Sequence, residues 1–372
     1  MMKQPQLAGA PPALSQAVHT APGLDIPGAA HEVAKTAQTH PAAALSRIND
    51  IIASRVLGLS LPDNRQIAGW SWPSPPGDAP LPVGAASLPD GNGPLYGNAL
   101  TASLTGDYLE IRGRQRFRTG PRPDGATILL IGDRDAGKGG YIASFDSRAP
   151  ILVGEPIFER DGFRITETVL SPARLLTSFQ PVDAKRWHPA LERAALVEEL
   201  LHAALDFGIL QGFSAAAHLY LTTRTRPWQG QGLAKATDDP HLVRRYGEYV
   251  ATLHALEGLL TEAGDGLIHT GLDGGDSLAR DGRETVSEAG EGSLRDARDA
   301  IAAARLYATL AGRSIINGTL ELLGAGATSQ RYGFDVFWRD FTAHGIAHPP
   351  RRPAEVIGRD RVVNRQQGKT HE

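Results

Sequence analysis

The sequence contains no cysteine and few aromatic residues. Among its 372 residues there are 0 Cys and 2 Met, and Phe, Trp and Tyr together make up 6%. The absence of Cys excludes disulfides, thiolate metal sites and a cysteine nucleophile. A run of about 18 apolar residues, which a membrane-spanning helix needs, is also missing. The Pro- and Ala-rich start lacks the apolar core of a signal peptide, and we therefore expect a cytoplasmic protein without a membrane partner.

Positive charge is not in surplus either. The chain has 38 Lys and Arg against 41 Asp and Glu, which gives a net charge of -3 at pH 7. Nucleic-acid binders gain most of their affinity by neutralising phosphates, so a nucleic-acid partner is not expected. Hydrophobic residues make up 41% and charged residues 21% of the chain. This composition allows a sizeable core, in one large domain or in two to three small ones.

The hydrophobic pattern changes twice along the chain. Residues 1 to about 40 are rich in Ala, Pro and Gly and predict at most one short helix, whereas residues 43–57 have helical spacing. The Gly- and Pro-rich span 70–96 predicts a break in regular structure. Residues 99–176 contain short apolar runs separated by turn signals such as Arg112-Gly113-Arg114, a pattern typical of a barrel or sandwich.

From His188 onward the apolar residues recur with the period of a helix. Three apolar stripes predict a helix bundle. The first comprises Leu196, Val197, Leu200, Leu201, Ala204, Leu205 and Ile209, the second Val250, Leu253, Leu256 and Leu260, and the third runs from Ile301 to Leu323.

Polar and aromatic residues follow directly behind the third stripe. Phe337-Trp338-Arg339-Asp340 precedes His344 and His348. Two histidines four residues apart on a helix could bind a metal ion, but Gly345 and the prolines after His348 argue against a continuous helix. A histidine that donates or accepts a proton fits better, because histidine titrates near neutral pH. The alternative is a pair of exposed or helix-capping histidines.

Two further segments are candidates for cofactor binding. Arg224, Arg226 and Trp228 follow a helical stripe beside a proline and could bind a phosphate, although a solvated cationic helix end has the same pattern. Thr119 and Gly120 end a predicted strand. Their hydroxyl and backbone N–H could meet the polar edge of a flat cofactor, and the alternative is an ordinary strand end with a turn glycine.

These segments together resemble one family. Residues 200–264, 320–350, 104–120 and 148–176 are similar, in order and spacing, to the acyl-CoA dehydrogenase superfamily. Within it they resemble the flavin-dependent monooxygenase branch, which includes dibenzothiophene monooxygenase and the sulfur-acquisition oxidoreductases. The resemblance covers roughly residues 95–350 and rests on the combination of motifs rather than on any single motif.

The resemblance implies an α+β fold of the acyl-CoA dehydrogenase type. Residues 1–66 would form a shortened N-terminal helical part, residues 67–187 a central β-barrel, and residues 188–350 a C-terminal four-helix bundle, followed by a tail over residues 351–372. The family's bundle mediates assembly, so a homodimer or homotetramer is implied.

The resemblance also implies a function and its residues. Members of the branch take reduced FMN, or FAD, from a separate flavin reductase and use oxygen to oxygenate a small sulfur-, nitrogen- or carbon-centred substrate. By position, Thr119 and Gly120 would contact the isoalloxazine edge, and Arg224 or Arg226, beside Trp228, the flavin phosphate. His344 falls on the family's active-site histidine. No metal is implied.

The chain departs from the family pattern near this histidine. Ala343 stands where the family has Thr, and the family's second histidine falls on Ala347, one place before His348. These departures and the shortened N-terminal part leave a non-catalytic subunit of an active homologue as one alternative. An acyl-CoA dehydrogenase is the other, although the segment 324–328 lacks the carboxylate base that such enzymes use.

Overall fold

The computed structural model describes most of the chain in two compact units. The described residues are 25–59, 67–71, 101–119, 126–133, 139–146, 155–160, 163–175, 179–270, 288–347, 350–359 and 361–362. The first unit comprises those of Met1–Asp25, Leu45–Glu198 and Gly271–Gly290, and the second those of Ile26–Ala44, Glu199–Thr270 and Glu291–Glu372. The domain boundaries expected from the sequence remain predictions.

The first unit contains a mixed sheet built from eight of the described strands. They are β1 (Ile67–Ser71), β2 (Thr101–Thr105), β3 (Tyr108–Thr119), β4 (Ala126–Asp133), β5 (Gly140–Asp146), β6 (Glu155–Arg160), β7 (Phe163–Leu175) and β8 (Phe179–Val182). The order across the sheet is β6-β7-β3-β1-β4-β5-β8, and β2 pairs with β3 and β4. The strand-rich segment predicted between residues 99 and 176 is therefore confirmed.

The longest strands, β3 and β7, form an antiparallel pair. Their register runs from Leu109 opposite Leu175 to Thr119 opposite Arg164, and it shifts between Ile111 and Gly113. The turn predicted at residues 112–114 is wrong, because the chain continues there as one strand. A glycine within a strand marks a bulge as readily as a turn, and only pairing with β7 distinguishes the two.

Strand β1 lies where the sequence predicted irregular structure. Ile67–Ser71 pairs antiparallel with β3 and parallel with β4, with Gly69 opposite Thr119 and Trp70 opposite Ile128. The predicted break therefore starts too early, since Trp70 and Ser71 belong to the strand. The sequence did not predict β8 either. Both strands are short, so neither shows enough alternation to be recognised.

Helices account for most of the other described residues. They are α1 (Ile26–Ala37), α2 (Pro41–Asp50) with a π-helical continuation at Ile51–Val56, α3 (Ala184–Thr223), α4 (Pro240–His269), α5 (Glu288–Leu323), α6 (Phe334–Ala347) and α7 (Arg351–Arg359). The one short helix allowed before residue 40 is confirmed as α1.

The predicted apolar stripes lie on the buried faces of α3, α4 and α5. Every member of the first stripe on α3 is buried, as are Leu253 and Leu256 on α4. On α5, Ile301, Ile315 and Leu323 are buried. Within the described ranges, residues 190–223 of α3 form the one helix that is long and apolar enough to cross a membrane. However, 72% of the most apolar stretch of this helix is buried in the structure. Such burial is typical of a core helix.

Helix ends follow local sequence signals. Asp239 caps α4, because its carboxylate accepts a hydrogen bond from the His241 backbone N–H at 2.8 Å, and Pro240 occupies the first turn. Gly324 ends α5 with φ of 80°, a left-handed value that glycine adopts without strain. The glycine-rich segment 324–329 thus begins at a helix end.

Glycines in the second unit let α1 approach α3 closely. A Cβ added at Gly208 would lie 2.1 Å from the Ala34 carbonyl oxygen, and one at Gly212 would lie 2.1 Å from that of Gln38. Both obstacles are backbone atoms, so no side-chain movement can relieve them. The Gln38 side-chain amide adds a 3.0 Å hydrogen bond to Gln211 across the same contact.

We expect Gly208→Ala to lower the free energy of unfolding by about 1–3 kcal/mol, because the added methyl group overpacks α1 against α3. Gly258→Ala on α4 is the matched control, since an added Cβ there meets no atom within 4 Å. The control should raise the stability by about 0.5–1 kcal/mol through helix propensity. Urea unfolding followed by circular dichroism measures both changes. A stabilising Gly208→Ala would contradict the close contact.

Candidate functional site

Helix α3 carries a polar face inside its apolar surroundings. Glu199, His202 and Asp206 are spaced three and four residues apart, so they lie on one face of the helix. Their exposed fractions are 5%, 1% and 0%. Ionisable groups are rarely buried to this extent unless other groups pair with them. Their partners come from two other helices of the second unit.

Helix α5 contributes the buried cation. Arg305 is 1% exposed, and its guanidinium bridges both carboxylates of the α3 face. Its Nε donates to Glu199 Oε2 at 3.3 Å, and its Nη1 donates to Asp206 Oδ2 at 2.6 Å. A planar guanidinium with several fixed donors suits this bridging role better than a lysine ammonium.

Helix α6 contributes His344, which is 6% exposed. Its Nδ1 lies 2.5 Å from Asp206 Oδ1, and its Nε2 lies 3.0 Å from His202 Nδ1. The centroids of the two imidazole rings are 5.1 Å apart. Both ring nitrogens of His344 are therefore engaged within the protein. We call Glu199, His202, Asp206, Arg305 and His344 the buried cluster.

Asp206 is the anionic centre of the buried cluster. Burial by itself would raise the pKa of Asp206, but the attraction of His344 and Arg305, together with their hydrogen bonds, outweighs it. The pKa of Asp206 consequently lies below its usual value, and the group is a carboxylate at neutral pH. A carboxylate only accepts hydrogen bonds, so His344 donates from Nδ1.

Two glycines position α6 on α5. A Cβ added at Gly312 would lie 2.2 Å from the Phe341 ring, and one at Gly345 would lie 3.4 Å from Thr309 Cγ2. Helix α6 continues through Gly345 to Ala347. The helix break predicted at Gly345 is therefore wrong. Packing against α5 outweighs the low helix propensity of glycine, which costs about 1 kcal/mol.

The neighbour of His344 differs from the one expected in the sequence. The second histidine was predicted at His348, which lies outside the described residues. His202, 142 positions earlier, meets His344 instead. His202, Asp206, Glu199 and Arg305 were missed because they interrupt apolar stripes. Their signal was the recurrence of ionisable residues on one face of the most apolar helix.

The predicted phosphate-binding residues follow the end of α3. Arg224 and Arg226 are exposed, and Trp228 is 80% exposed. The backbone N–H groups of Arg224 and Thr225 both donate to the Tyr220 carbonyl and close the helix. Neither guanidinium forms an ion pair with another described residue. Two exposed guanidinium groups beside an exposed indole fit an anionic, aromatic ligand such as a flavin phosphate.

The predicted isoalloxazine contact lies at the end of β3 in the first unit. Thr119 is the last residue of the strand and pairs with Gly69 on β1 and Arg164 on β7. Gly120 lies outside the described residues. Across the part of the chain that the structure describes, no group of three His, Asp or Glu side chains could hold a metal ion.

Known proteins resemble this chain in sequence. Dibenzothiophene monooxygenase from Rhodococcus erythropolis is 34% identical over 171 residues, which span 45% of this chain and 38% of that protein. SfnC from Pseudomonas putida, a probable FMNH2-dependent monooxygenase, is 28% identical over 68% of this chain and 64% of its own length. The chain thus spans less than half of the first relative and under two thirds of the second. No family model matches the chain.

Solved structures resemble it in fold. FMN-bound TdsC from Paenibacillus sp. A11-2 superposes with a TM-score of 0.70 at 18% identity, covering 91% of this chain and 84% of that chain. Butyryl-CoA dehydrogenase from Megasphaera elsdenii gives 0.60 at 14% identity, covering 90% and 81%. The predicted acyl-CoA dehydrogenase-like fold is confirmed. The predicted resemblance to the monooxygenase branch is confirmed by the two sequence relatives.

We expect Asp206→Asn to lower the free energy of unfolding at pH 7 by about 3–5 kcal/mol, because Arg305 loses a buried carboxylate. The folded-state pKa of Asp206 is lowered. Its stabilising contribution is therefore present above the unfolded value of about 3.9 and is lost as the pH falls through the folded value. The difference between wild type and variant should shrink as the pH falls below about 4. Urea unfolding at several pH values measures it.

Asp335→Asn on α6 is the control for this pH series. Asp335 is half-exposed and pairs with Arg339 at 3.4 Å on the same helix. Such a solvated pair contributes about 0–1 kcal/mol, so the control should differ little from wild type at any pH. A difference for Asp206→Asn that is the same at pH 3 and pH 7 would contradict the lowered pKa.

Proposed function

We propose that the chain is a flavin-dependent monooxygenase of the acyl-CoA dehydrogenase superfamily. It takes reduced FMN, or FAD, from a separate flavin reductase and uses oxygen to oxygenate a small substrate, centred on sulfur, nitrogen or carbon. The observation that carries the proposal is the similarity to dibenzothiophene monooxygenase and SfnC. The similarity to dibenzothiophene monooxygenase favours a sulfur compound as the substrate.

The residues that would hold the flavin have suitable chemistry. Arg226 or Arg224, from a neighbouring subunit, would bind the flavin phosphate, with Trp228 beside them. Thr119 and Gly120 would meet the polar edge of the isoalloxazine ring. The exposure of both guanidinium groups and their lack of ion pairs with other described residues support the first assignment, because such groups are available to an anion.

When bound, the reduced flavin supplies the two electrons that let oxygen deliver one atom to the substrate and the other to water. The protein contributes binding, exclusion of water and proton transfer. We assign proton transfer to His344, with His348 as a second candidate. His344 suits this role because it is buried and Asp206 holds its ring in one orientation.

The finer architecture is part of the proposal. The sheet of the first unit would close as a β-barrel, and α3, α4, α5 and α6 would form a four-helix bundle through which the chain assembles as a homodimer or homotetramer. The long buried helix α3 supports a bundle, since its apolar stripes are those of a core helix. We propose the cytoplasm as the compartment.

The relation to butyryl-CoA dehydrogenase does not favour a dehydrogenase. Such a reaction needs a base for the substrate's α-proton, commonly a carboxylate. The segment compared with the family's base, residues 324–328, consists of Gly324 and the short 3-10 helix Ala325–Thr328 after α5, and it contains no carboxylate. The buried carboxylates of the second unit, Glu199 and Asp206, are both ion-paired with Arg305.

The function is tested by mixing the purified protein with FMN, a flavin reductase, NADH and a panel of small thiophenes, thioethers and amines. The expected result is an oxygenated product that carries one atom from labelled O2. Reduction of bound FAD by an acyl-CoA without oxygen would instead support the dehydrogenase. Flavin binding without any product, together with assembly onto an active homologue, would support the non-catalytic subunit.

We expect Arg224→Ala with Arg226→Ala to weaken FMN binding by about 10- to 100-fold, because a hydrogen bond between charged groups contributes about 1.5–3 kcal/mol. Riboflavin, which lacks the phosphate, should bind to the variant as it does to wild type. Arg244→Ala on α4 is the control, since Arg244 is exposed and pairs with Glu248 at 3.8 Å. Flavin fluorescence titration measures all affinities. An equal loss for FMN and riboflavin would contradict a phosphate contact.

A further inference from the structure

The buried cluster contains a chain of hydrogen-bonded atoms along which a proton can pass. His344 Nδ1 lies 2.5 Å from Asp206 Oδ1, and His344 Nε2 lies 3.0 Å from His202 Nδ1. Both distances are within hydrogen-bond range. The proposed function needs His344 to move a proton, yet both of its nitrogens are engaged by protein groups. Any proton that reaches or leaves His344 must therefore pass through one of these two neighbours.

The Asp206 carboxylate determines which nitrogen of His344 carries the proton. Asp206 also accepts from Arg305 at 2.6 Å, so its position is set from a second helix. Because the pKa of Asp206 is lowered, Asp206 stays anionic and His344 carries its proton on Nδ1. The lone pair of neutral His344 then lies on Nε2, which faces His202. Nδ1 of His202 must donate to that lone pair.

We propose that His202, His344 and Asp206 form a buried proton relay, in which Asp206 fixes the tautomer of His344 and His202 exchanges the proton with it. This inference rests on the proposed function only for the use of the proton. His202 is a positioning and relay residue that neither the sequence motifs nor the resemblance pointed to.

The proton transfer makes and breaks only N–H bonds of His202 and His344. Because His202 is buried, the proton comes from a ligand or a water molecule bound beside it rather than directly from bulk solvent. It adds to Nε2 of His202, while the proton on His202 Nδ1 moves to His344 Nε2. One N–H bond breaks and two form, so that one proton is gained and no electron is transferred. The protonated His344 then donates from both nitrogens, to Asp206 and back to His202. Reversal of these steps returns the proton.

The surroundings restrict which other groups could take part. On α3, Arg193 and Glu198 are also buried, and Glu199 is paired with Arg305. On α5 the ionisable groups nearest in sequence to Arg305 are Tyr307 and Asp299, and on α6 the one nearest to His344 is Asp340; all three are partly exposed. Arginine does not lose its proton at working pH. The imidazole pair is therefore the part of the buried cluster best suited to exchange a proton near neutral pH.

The relay is tested by NMR of the full chain labelled with 15N-histidine. At about pH 9 we expect His344 and His202 both to be protonated on Nδ1 and unprotonated on Nε2. Signals are assigned by their loss in His344→Gln and His202→Gln. A wild-type spectrum without a buried Nδ1-protonated histidine overturns the proposal without any variant.

Variants test the coupling. In His202→Gln the 15N signal of His344 Nε2 should shift, because Nε2 loses its hydrogen bond with His202 Nδ1. In Asp206→Asn the fixed tautomer of His344 should give way to a mixture of both. His254→Gln, at an exposed position on α4, is the control and should change neither. A His344 Nε2 signal that is the same with and without His202 overturns the relay. These readouts do not depend on catalysis, so they stand if the proposed function fails.

The activity of the same variants links the relay to the reaction. If the chain is a monooxygenase, His202→Gln should lower kcat by about 10- to 100-fold and shift the pH profile, since a positioned acid or base contributes this much or more. Its affinity for FMN should stay within about twofold of wild type, because His202 is a relay residue rather than a flavin contact. An unchanged kcat in an active enzyme would overturn the catalytic use of the relay.

Discussion

The burial of one carboxylate, Asp206, constrains much of the second unit. A buried charge is very costly unless opposite charges and hydrogen bonds surround it. The partners of Asp206 come from two other helices, Arg305 on α5 and His344 on α6. A shift of either helix along its axis by one turn, about 5.4 Å, would separate these atoms. The pairing therefore fixes the registers of α3, α5 and α6 together.

Close helix contacts make this pairing possible. Gly312 leaves room for the Phe341 ring one turn before His344, and Gly345 lies against Thr309 one turn after Arg305. A side chain at Gly312 would overlap the Phe341 ring and push α6 away from α5. The hydrogen bond from Trp338 Nε1 to Asn317 Oδ1 at 3.2 Å joins the same two helices near the start of α6. The helical packing and the buried cluster thus depend on the same residues.

In the second unit, the residues proposed to bind the flavin phosphate differ in exposure from those proposed to transfer protons. Arg224, Arg226 and Trp228 are exposed, where a diffusing anion can reach them, whereas His344 and His202 are enclosed by protein. Enclosure strengthens hydrogen bonds and limits side reactions with water. Such protection would suit the proton transfer that we propose for His344 and His202.

The sequence by itself determined the succession from a strand-rich segment to long helices, the apolar stripes and the resemblance to a flavin-dependent family. These features depend on neighbouring residues or on the linear order of motifs. It did not determine that Gly113 belongs to a continuous strand, that α6 passes through Gly345, or that His202 meets His344. Each of these depends on contacts between residues distant in the chain. Only the tertiary structure decided them, because packing energy there outweighs the local preferences of glycine and brings ionisable residues from separate helices together.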